Sequence, residues 1–462
     1  MGTSLHMNNL RNQKIAVIGG GRAGLAAAAL LVDVGAKPFL IDDAPKGQLE
    51  ERLHASAFDL DIPVVGGGLQ TDAFADTSVA ILSPGVPRKH PALVPLIAEN
   101  RLLIFNEVEL AHAQNTACDV VAITGSNGKS TTATLAGALL AQADPHVFCG
   151  GNLGTPFCQG ILERSQLKTA VLELSSYQLE TITTLPVRLG LITNLSPDHL
   201  DRYPDAEAYY DAKWRLTELM RPDGWFVLNA KDESLQQRLK ETEIKRLFNF
   251  NVSAEQPGVS FAGDLARIQP LSGAAIELVL DNEHLIGAHN YENAAAALAL
   301  GHLYGLNPVQ LEMGIKSYSG MAHRMERLGE AKGVLWINDS KATNVDAATT
   351  AIQCFGKGLH LFAGGVGKGS SYAPMVDAGR ASLKGVYVFG EERSNLKAAF
   401  EVICPTHPCE DLAEAVTMAK GFATKGDVFL LSPACASFDQ YASFEERGAH
   451  FKTLFERERL HA

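Results

Sequence analysis

The run Gly125-Ser126-Asn127-Gly128-Lys129-Ser130-Thr131 has the parts of a phosphate cradle. Glycine lets a turn present backbone N–H groups to an anion, a lysine neutralises terminal phosphates, and the hydroxyl beside it can meet Mg2+. Only two residues separate Gly125 from Gly128, where the standard phosphate loop has four, so this is a short variant. Other polar groups stand in company that does not suit them. Glu173 ends an otherwise apolar strand, and a carboxylate there is expensive to bury unless paired or on a metal. Asp198 and His199 share a loop after the next apolar run, and carboxylates with water suit a hard cation. Lys213 falls on the apolar stripe Tyr209, Ala212, Leu216 and Leu219 of a helix predicted over 205–220, with Asp205 as its N-cap. It either snorkels to solvent or points into the site formed by Glu173 and His199.

A second glycine turn, Gly19-Gly20-Gly21-Arg22-Ala23-Gly24, follows a strand and opens a helix predicted over 23–34, with Gly35 as its C-terminal cap. The next strand ends at Asp42-Asp43. This is the GxGxxG pattern in its proper context: a diphosphate on the helix N-terminus and an acidic pair accepting hydrogen bonds from a ribose. It specifies a nucleotide diphosphate but not which one. A dinucleotide oxidoreductase would use this turn yet leave Gly125–Ser130, Glu173 and Lys213 unexplained. Polar loops recur further on. His289-Asn290-Tyr291-Glu292-Asn293 opens an alanine-rich helix, and Arg324 is placed to bridge to a phosphate. Residues 338–344, 364–369 and 432–439 follow three strands and together read as a second substrate-binding wall.

These groups need a frame. Short apolar runs at 14–18, 120–124, 170–174, 188–193, 334–338, 360–363, 385–389 and 427–431 read as buried strands with helical stretches between most of them. That alternation predicts an α/β protein with parallel sheets, which carry ligands at the carboxyl ends of their strands. The polar loops divide the chain into residues 8–107, 108–320 and 321–462, and 462 residues suit about three domains. With 46% apolar and 20% charged residues, collagen, coiled coil and wholesale disorder are excluded. The net charge, 40 − 52 = −12, argues against a general nucleic-acid binder. No apolar run approaches the ~18 residues of a membrane span. Seven cysteines without a CxxC pair read as free thiols of a reducing cytoplasm. Residues 1–7 read as vector-derived and are set aside from fold reasoning.

Taken together the loops resemble those of the Mur ligases of bacterial cell-wall synthesis. The short phosphate loop, Gly151-Asn152-Leu153-Gly154, Glu173-Leu174-Ser175-Ser176-Tyr177-Gln178-Leu179, Asp198-His199-Leu200-Asp201-Arg202-Tyr203-Pro204, His289–Asn293 and Asn338–Asn344 carry the resemblance, from about Lys14 to the end. Within the family, the Glu173–Leu179 run, the Asp339–Asn344 loop and the Ser432–Gln440 loop are similar to those of members that add D-glutamate to UDP-N-acetylmuramoyl-L-alanine.

The resemblance implies three domains: a Rossmann-like UDP-binding domain, a central ATPase domain of phosphate-loop type and a Rossmann-like amino-acid-binding domain. It implies ATP-dependent amide ligation through an acyl phosphate, in peptidoglycan precursor synthesis, by a cytoplasmic monomer. Gly21, Arg22, Ala23, Asp42, Asp43, Gly85, Asn152, Ser175 and His199 would contact the UDP substrate. Gly125 to Thr131, Asn293, Arg324 and Asp339 would contact ATP. Ser130, Glu173, His199 and Lys213 would serve two Mg2+ ions, with Lys213 carbamylated by CO2, which explains a lysine on an apolar stripe. Lys129, Glu173, His199 and Lys213 would carry the catalysis. Lys341, Thr343, Lys368, Ser437 and Phe444 would hold the incoming glutamate. Two positions depart from the family pattern: Val366 stands where an aspartate is expected, and Ala23 where a hydroxyl residue is common.

Overall fold

The computed structural model describes residues 10–164, 166–199 and 202–460, so residues 1–7 and the pair Leu200-Asp201 of the Asp198–Pro204 run lie outside the described residues. The predicted strands form, and they assemble into three sheets. The first holds β1 (Lys14–Ile18), β2 (Lys37–Asp42), β3 (Val64–Gly66), β4 (Val79–Leu82) and β5 (Leu103–Asn106) in the order 3-2-1-4-5. All its pairings are parallel. The helix Arg22–Asp33 rises from the glycine turn and buries an alanine- and leucine-rich face. Gly35 follows it at φ +80, the left-handed conformation that glycine adopts without a Cβ penalty.

The second sheet has nine strands: β6 (Asp119–Thr124), β7 (Phe148–Gly151), β8 (Thr169–Glu173), β9 (Val187–Ile192), β10 (Met220–Asn229), β11 (Leu247–Phe250), β12 (Gly258–Ala262), β13 (Leu265–Gln269) and β14 (Ile276–Val279). They run in the order 14-13-12-11-10-9-6-8-7. From β7 across to β12 the pairing is parallel; β13 and β14 add an antiparallel edge. One apolar core joins this sheet to the first, running from Leu30 and Leu31 to Phe148 and Leu172. The two sheets and the helix segment from Glu292 form one compact unit.

A polar clamp accompanies that shared core. Asn106 caps the helix Glu107–Gln114 with a capping box, and its amide also donates to Gln178 O and Thr181 Oγ1. Glu109 Oε1 accepts from the backbone and hydroxyl groups of both Thr183 and Thr184. Glu107, 2% exposed, accepts from Cys158 N, and burial pushes its carboxyl up to about 7 from the ordinary 4.5. Between those values the folded chain holds a proton that the unfolded chain has lost. Stability from this group is therefore lost as pH rises through that window. Glu107→Gln is expected to leave stability at pH 4 unchanged and to raise it at pH 9 by on the order of 1–3 kcal/mol, as read by urea unfolding at the two pH values.

The third sheet is a separate unit, built from residues 281–291 and the chain from Tyr318 on. It holds β15 (Glu326–Ala331), β16 (Val334–Asn338), β17 (Leu359–Gly364), β18 (Leu383–Phe389), β19 (Thr406–Pro408) and β20 (Val428–Leu431), in the order 15-16-20-17-18-19. Only the β15–β16 pair is antiparallel. Helices cover both faces, over the apolar layers of Ile337, Leu361 and Val388 and of Trp336, Phe362 and Phe429. The sequence division at 320 falls close to this unit's start, but the segment 281–291 also belongs to it.

Candidate functional site

The phosphate loop joins β6 to the helix Lys129–Leu140. Gly125 sits at φ +142 and Gly128 at φ +79, and there is no room for a side chain at either. A Cβ on Gly125 would meet the Thr193 hydroxyl, and one on Gly128 the Asn293 carboxamide oxygen. The loop is braced from residues 193–196. Thr193 Oγ1 donates to Asn127 O (2.6 Å), Asn127 N donates to Asn194 Oδ1 (2.9 Å), and Ser126 Oγ donates to Ser196 O (2.8 Å) while accepting from Ser196 N (2.9 Å). Lys129 curls back so that Nζ donates to Gly125 O (2.8 Å) and Ser126 O (2.7 Å). Asn293 is buried against the loop, its Oδ1 accepting from Thr132 Oγ1. The sequence reading placed Asn293 here but not the Thr193–Ser196 brace.

Glu173 ends β8 and is 3% exposed. Its Oε1 accepts from Asn152 Nδ2 (2.9 Å), whereas Oε2 is buried with no hydrogen-bond partner among the described residues. Lys213 is 1% exposed, with Nζ 4.5 Å from the centre of the Tyr209 ring. Burial holds its pKa well below the usual lysine range, helped by the charge of Lys129; Asp198 and Glu173 pull the other way. The lysine therefore does not snorkel. Lys213 lies close enough to Lys129, Glu173 and Asp198 to feel the charge of each. Tyr209 completes the group, its ring beside Lys213 Nζ and its phenol near enough to the Ser126 side chain to offset part of the upward push of burial. His199, at φ +54, is half-exposed, its ring edge-on to Tyr177 (5.2 Å) and Tyr209 (5.8 Å).

The helix carrying Lys213 is shorter than the periodicity predicts. Asp205 caps it as expected, accepting from Ala208 N, but the α-helix is Ala206–Trp214. Arg215–Leu219 tightens into a 3-10 turn, and β10 begins at Met220, paired with Val187. Arg215 donates to Leu179 O and Ile182 O, so tertiary bonds end the helix while Leu216 and Leu219 stay buried.

Other candidate residues have local duties. In the first sheet, both Asp42 oxygens brace the turn, accepting from Gly20 N (2.6 Å) and Ala44 N (2.8 Å). Asp43 accepts from Leu69 N; Gly21, Arg22 and Gly85 remain exposed. Ala23, where a hydroxyl was expected, lies just inside the helix. Ser175 caps the short helix Ser176–Leu179 in a capping box with Gln178, so its hydroxyl serves the fold first.

In the third sheet's unit, Asp339 is buried, accepts from Met325 N (3.1 Å) and Ser432 Oγ (2.9 Å), and is pushed up to about 7 by burial. It ties two loops together, and Arg324 is near enough to offset part of that shift. Lys341 Nζ lies 4.0 Å from the Phe444 ring centre, so these two glutamate candidates meet. Thr343 follows on the same loop, Lys368 is exposed, and Ser437 is buried. Val366 exchanges backbone hydrogen bonds with Ala436, a tie that needs no particular side chain.

Sequence reasoning missed Arg447. It is fully buried and donates to Ser340 Oγ (3.0 Å), Ser340 O (2.9 Å), Cys435 O (3.1 Å) and Gly364 O (3.2 Å). One guanidinium thus holds all three loops of the second wall, and burial lowers it to about 10. The available signal was an arginine on the stripe Phe444, Phe451, Phe455 of a helix, an anomaly of the same kind as Lys213. Arg447→Lys, which keeps charge but loses the planar fork, is expected to cost about 3 kcal/mol or more in guanidinium unfolding.

Three family models match in order: the Mur ligase MurD-like N-terminal domain over residues 13–104, the Mur ligase middle domain over 123–301, and the Mur ligase glutamate ligase domain over 323–435. The chain is 39% identical to the UDP-N-acetylmuramoylalanine--D-glutamate ligase of Myxococcus xanthus, covering 97% of this chain and 99% of that one. It is 37% identical to the same-named protein of Anaeromyxobacter dehalogenans, covering 96% and 98%. Among solved structures, the UDP-N-acetylmuramate-alanine ligase MurC of Thermotoga maritima shares the fold at TM-score 0.60 and 18% identity, covering 96% of this chain and 99% of that one. MurF of Acinetobacter baumannii shares it at 0.58 and 19%, covering 99% and 93%. With three family models in series and full-length relatives at this identity, the chain belongs to the Mur ligase family.

Proposed function

We propose that this chain joins D-glutamate to UDP-N-acetylmuramoyl-L-alanine at the expense of ATP, in peptidoglycan precursor synthesis. The observation that carries the reaction class is the convergence of Lys129, Glu173, Asp198 and Lys213 around a braced phosphate loop. The two substrates are supported by the names of the full-length relatives.

The residues fit Mg2+. A buried carboxylate oxygen without a partner, Glu173 Oε2, suits a hard cation. Among the described residues no three His, Cys, Asp or Glu side chains form a metal cage. That agrees with the habit of Mg2+, which takes one or two carboxylates and completes its shell with water and phosphate oxygens. Glu173, Ser130 and His199 would hold the ions, joined by Lys213 once carbamylated. Bound there, Mg2+ would offset negative charge on the phosphates.

The chain's own residues account for the rest. The loop amides and Lys129 grip the β- and γ-phosphates and offset charge as the γ-phosphoryl group moves. A substrate carboxylate oxygen bonds to the γ-phosphorus, the bond to ADP breaks, and an acyl phosphate results. The glutamate amine, having given up a proton, attacks the acyl carbon, and phosphate leaves with the carbon–oxygen electron pair. His199, its ring set by two tyrosines, orients the UDP substrate, with Asn152 beside Glu173. Lys341, Thr343, Lys368, Ser437 and Phe444 would receive the glutamate, on loops held by Arg447. The protein would work as a cytoplasmic monomer; among the described residues no helix is long and apolar enough to cross a membrane.

Phosphate release from ATP tests the reading, with UDP-N-acetylmuramoyl-L-alanine and D-glutamate, L-glutamate, L-alanine, L-lysine or diaminopimelate supplied separately. Release that needs both the UDP substrate and D-glutamate is expected. Release with a different amino acid alone would overturn the specificity, and release with none would overturn the acceptor.

A further inference from the structure

We propose that the first unit carries a second small-molecule site, beside the Gly85 turn, for an anion built on a flat apolar ring. A cavity of about 1120 Å³ opens there between residues 85–89 and the outer face of the helix Ala206–Trp214. Its size suits a small organic ligand. The cavity is lined by Ala208, Asp211, Ala212 and Arg215, which recur at helical spacing, whereas Tyr209 and Lys213 turn to the phosphate loop. It is therefore not the phosphate site.

The lining specifies the ligand's chemistry. Pro87, Pro204, Ala208 and Ala212 are apolar, and the Trp214 indole forms a flat wall. That wall is already fixed, because Trp214 Nε1 donates to Thr242 Oγ1 (3.1 Å) and the ring packs edge-on against Phe226. The acids of the cavity each have their own arginine. Glu180 faces Arg202 (3.5 Å), Asp211 pairs with Arg238 (2.5 Å), and Glu218 lies 3.9 Å from Arg215. Arg88 and Lys89 also line it, and among the described residues no acidic group pairs with either. Two unmatched cations thus face an aromatic and apolar wall, which favours a sulfonate, carboxylate or phosphate on a ring system.

The cavity also abuts the residues of the first unit proposed to hold the UDP substrate. Arg202, in its lining, donates to Pro84 O (3.2 Å) and lies 3.8 Å from the centre of the Tyr177 ring, which in turn packs against His199. A bound anion would therefore touch the back of the turn that presents Gly85.

Anilinonaphthalene sulfonate, an anionic fused-ring dye that brightens on leaving water, is the probe. Its titration into the full chain is expected to saturate and to draw energy from Trp214. The double variant Arg88→Glu, Lys89→Glu is expected to weaken binding by about tenfold or more, since both charges then repel the sulfonate. Trp214→Phe should remove most of the energy transfer while binding persists. Equal affinity in wild type and the charge-reversed protein would overturn the site. Full competitive displacement of the dye by UDP-N-acetylmuramoyl-L-alanine would also overturn it, because the cavity would then be part of the substrate's own site.

Discussion

Replacing Lys213 with methionine is expected to abolish ligation while leaving the fold as stable as before, or more so. The two side chains are similar in length and apolar stem, so packing around Tyr209 is kept. A buried ammonium costs stability, and Lys213 already resists its charge because burial and Lys129 both oppose it. A lysine kept only for structure would therefore be better replaced. A lysine kept for chemistry must gain something from being neutral, and a neutral amine can attack CO2. Nζ bonds to the carbon, one carbon–oxygen π pair moves to oxygen, and a proton leaves to solvent. An amine whose protonated form would oppose Lys129 would thereby become a carboxylate-like anion beside Lys129 and the cation site proposed at Glu173. Turnover in Lys213→Met should fall by about a thousandfold, the scale of losing a group that holds charge in the transition state. Bicarbonate-free buffer should lower wild-type activity, added bicarbonate should restore it, and the variant should respond to neither. A carbamate resonance with carbon-13 bicarbonate would report the adduct directly. Full activity in Lys213→Met or Lys213→Ala would end the idea.

Lys213 also marks where sequence reasoning was strong and where it stopped. A cation on an apolar helical stripe is visible without a structure, because the period of 3.6 fixes which residues share a face. The strand-then-loop rhythm was legible for a similar reason: buried parallel strands must be apolar runs, and their polar successors stand out. Arg447 carried the same signal and was passed over because its partners are backbone carbonyls of three distant loops, which leave no trace in residue type. The Thr193–Ser196 brace of the phosphate loop was hidden likewise, since its bonds span about seventy residues. Asp42 and Asp339 show the same limit. Both carboxylates also brace the fold, Asp42 on two backbone amides and Asp339 on the Met325 amide and the Ser432 hydroxyl, which residue type alone does not reveal. The early end of the lysine helix has the same origin, in the pairing of Met220 with Val187. Local chemistry was readable; long-range satisfaction of hydrogen bonds was not.

Lys129→Ala is expected to remove ATP-dependent turnover and to leave the protein folded. Nζ donates to the carbonyls of Gly125 and Ser126, its own loop. Gly125 and Ser126 are buried but Lys129 itself is half-buried, so water can follow into the space that Nζ leaves and replace the lost donor, and truncation should cost stability little. The cost to chemistry is of another order. The transferring phosphoryl group spreads negative charge over its oxygens, and a positioned cation is worth more there than in water. Losing it should lower kcat by about a hundred- to a thousandfold. Lys129→Arg should not restore the rate, because the loop carbonyls and short glycine turn are spaced for a compact ammonium rather than a planar fork. The measurement is phosphate release at saturating ATP alongside the urea midpoint of each variant. A normal midpoint with lost turnover places Lys129 in phosphate handling; wild-type ligation would remove it from that role. A lowered midpoint in Lys129→Ala would instead assign the lysine to holding Gly125 and Ser126, and the phosphate cradle would then rest on backbone amides alone.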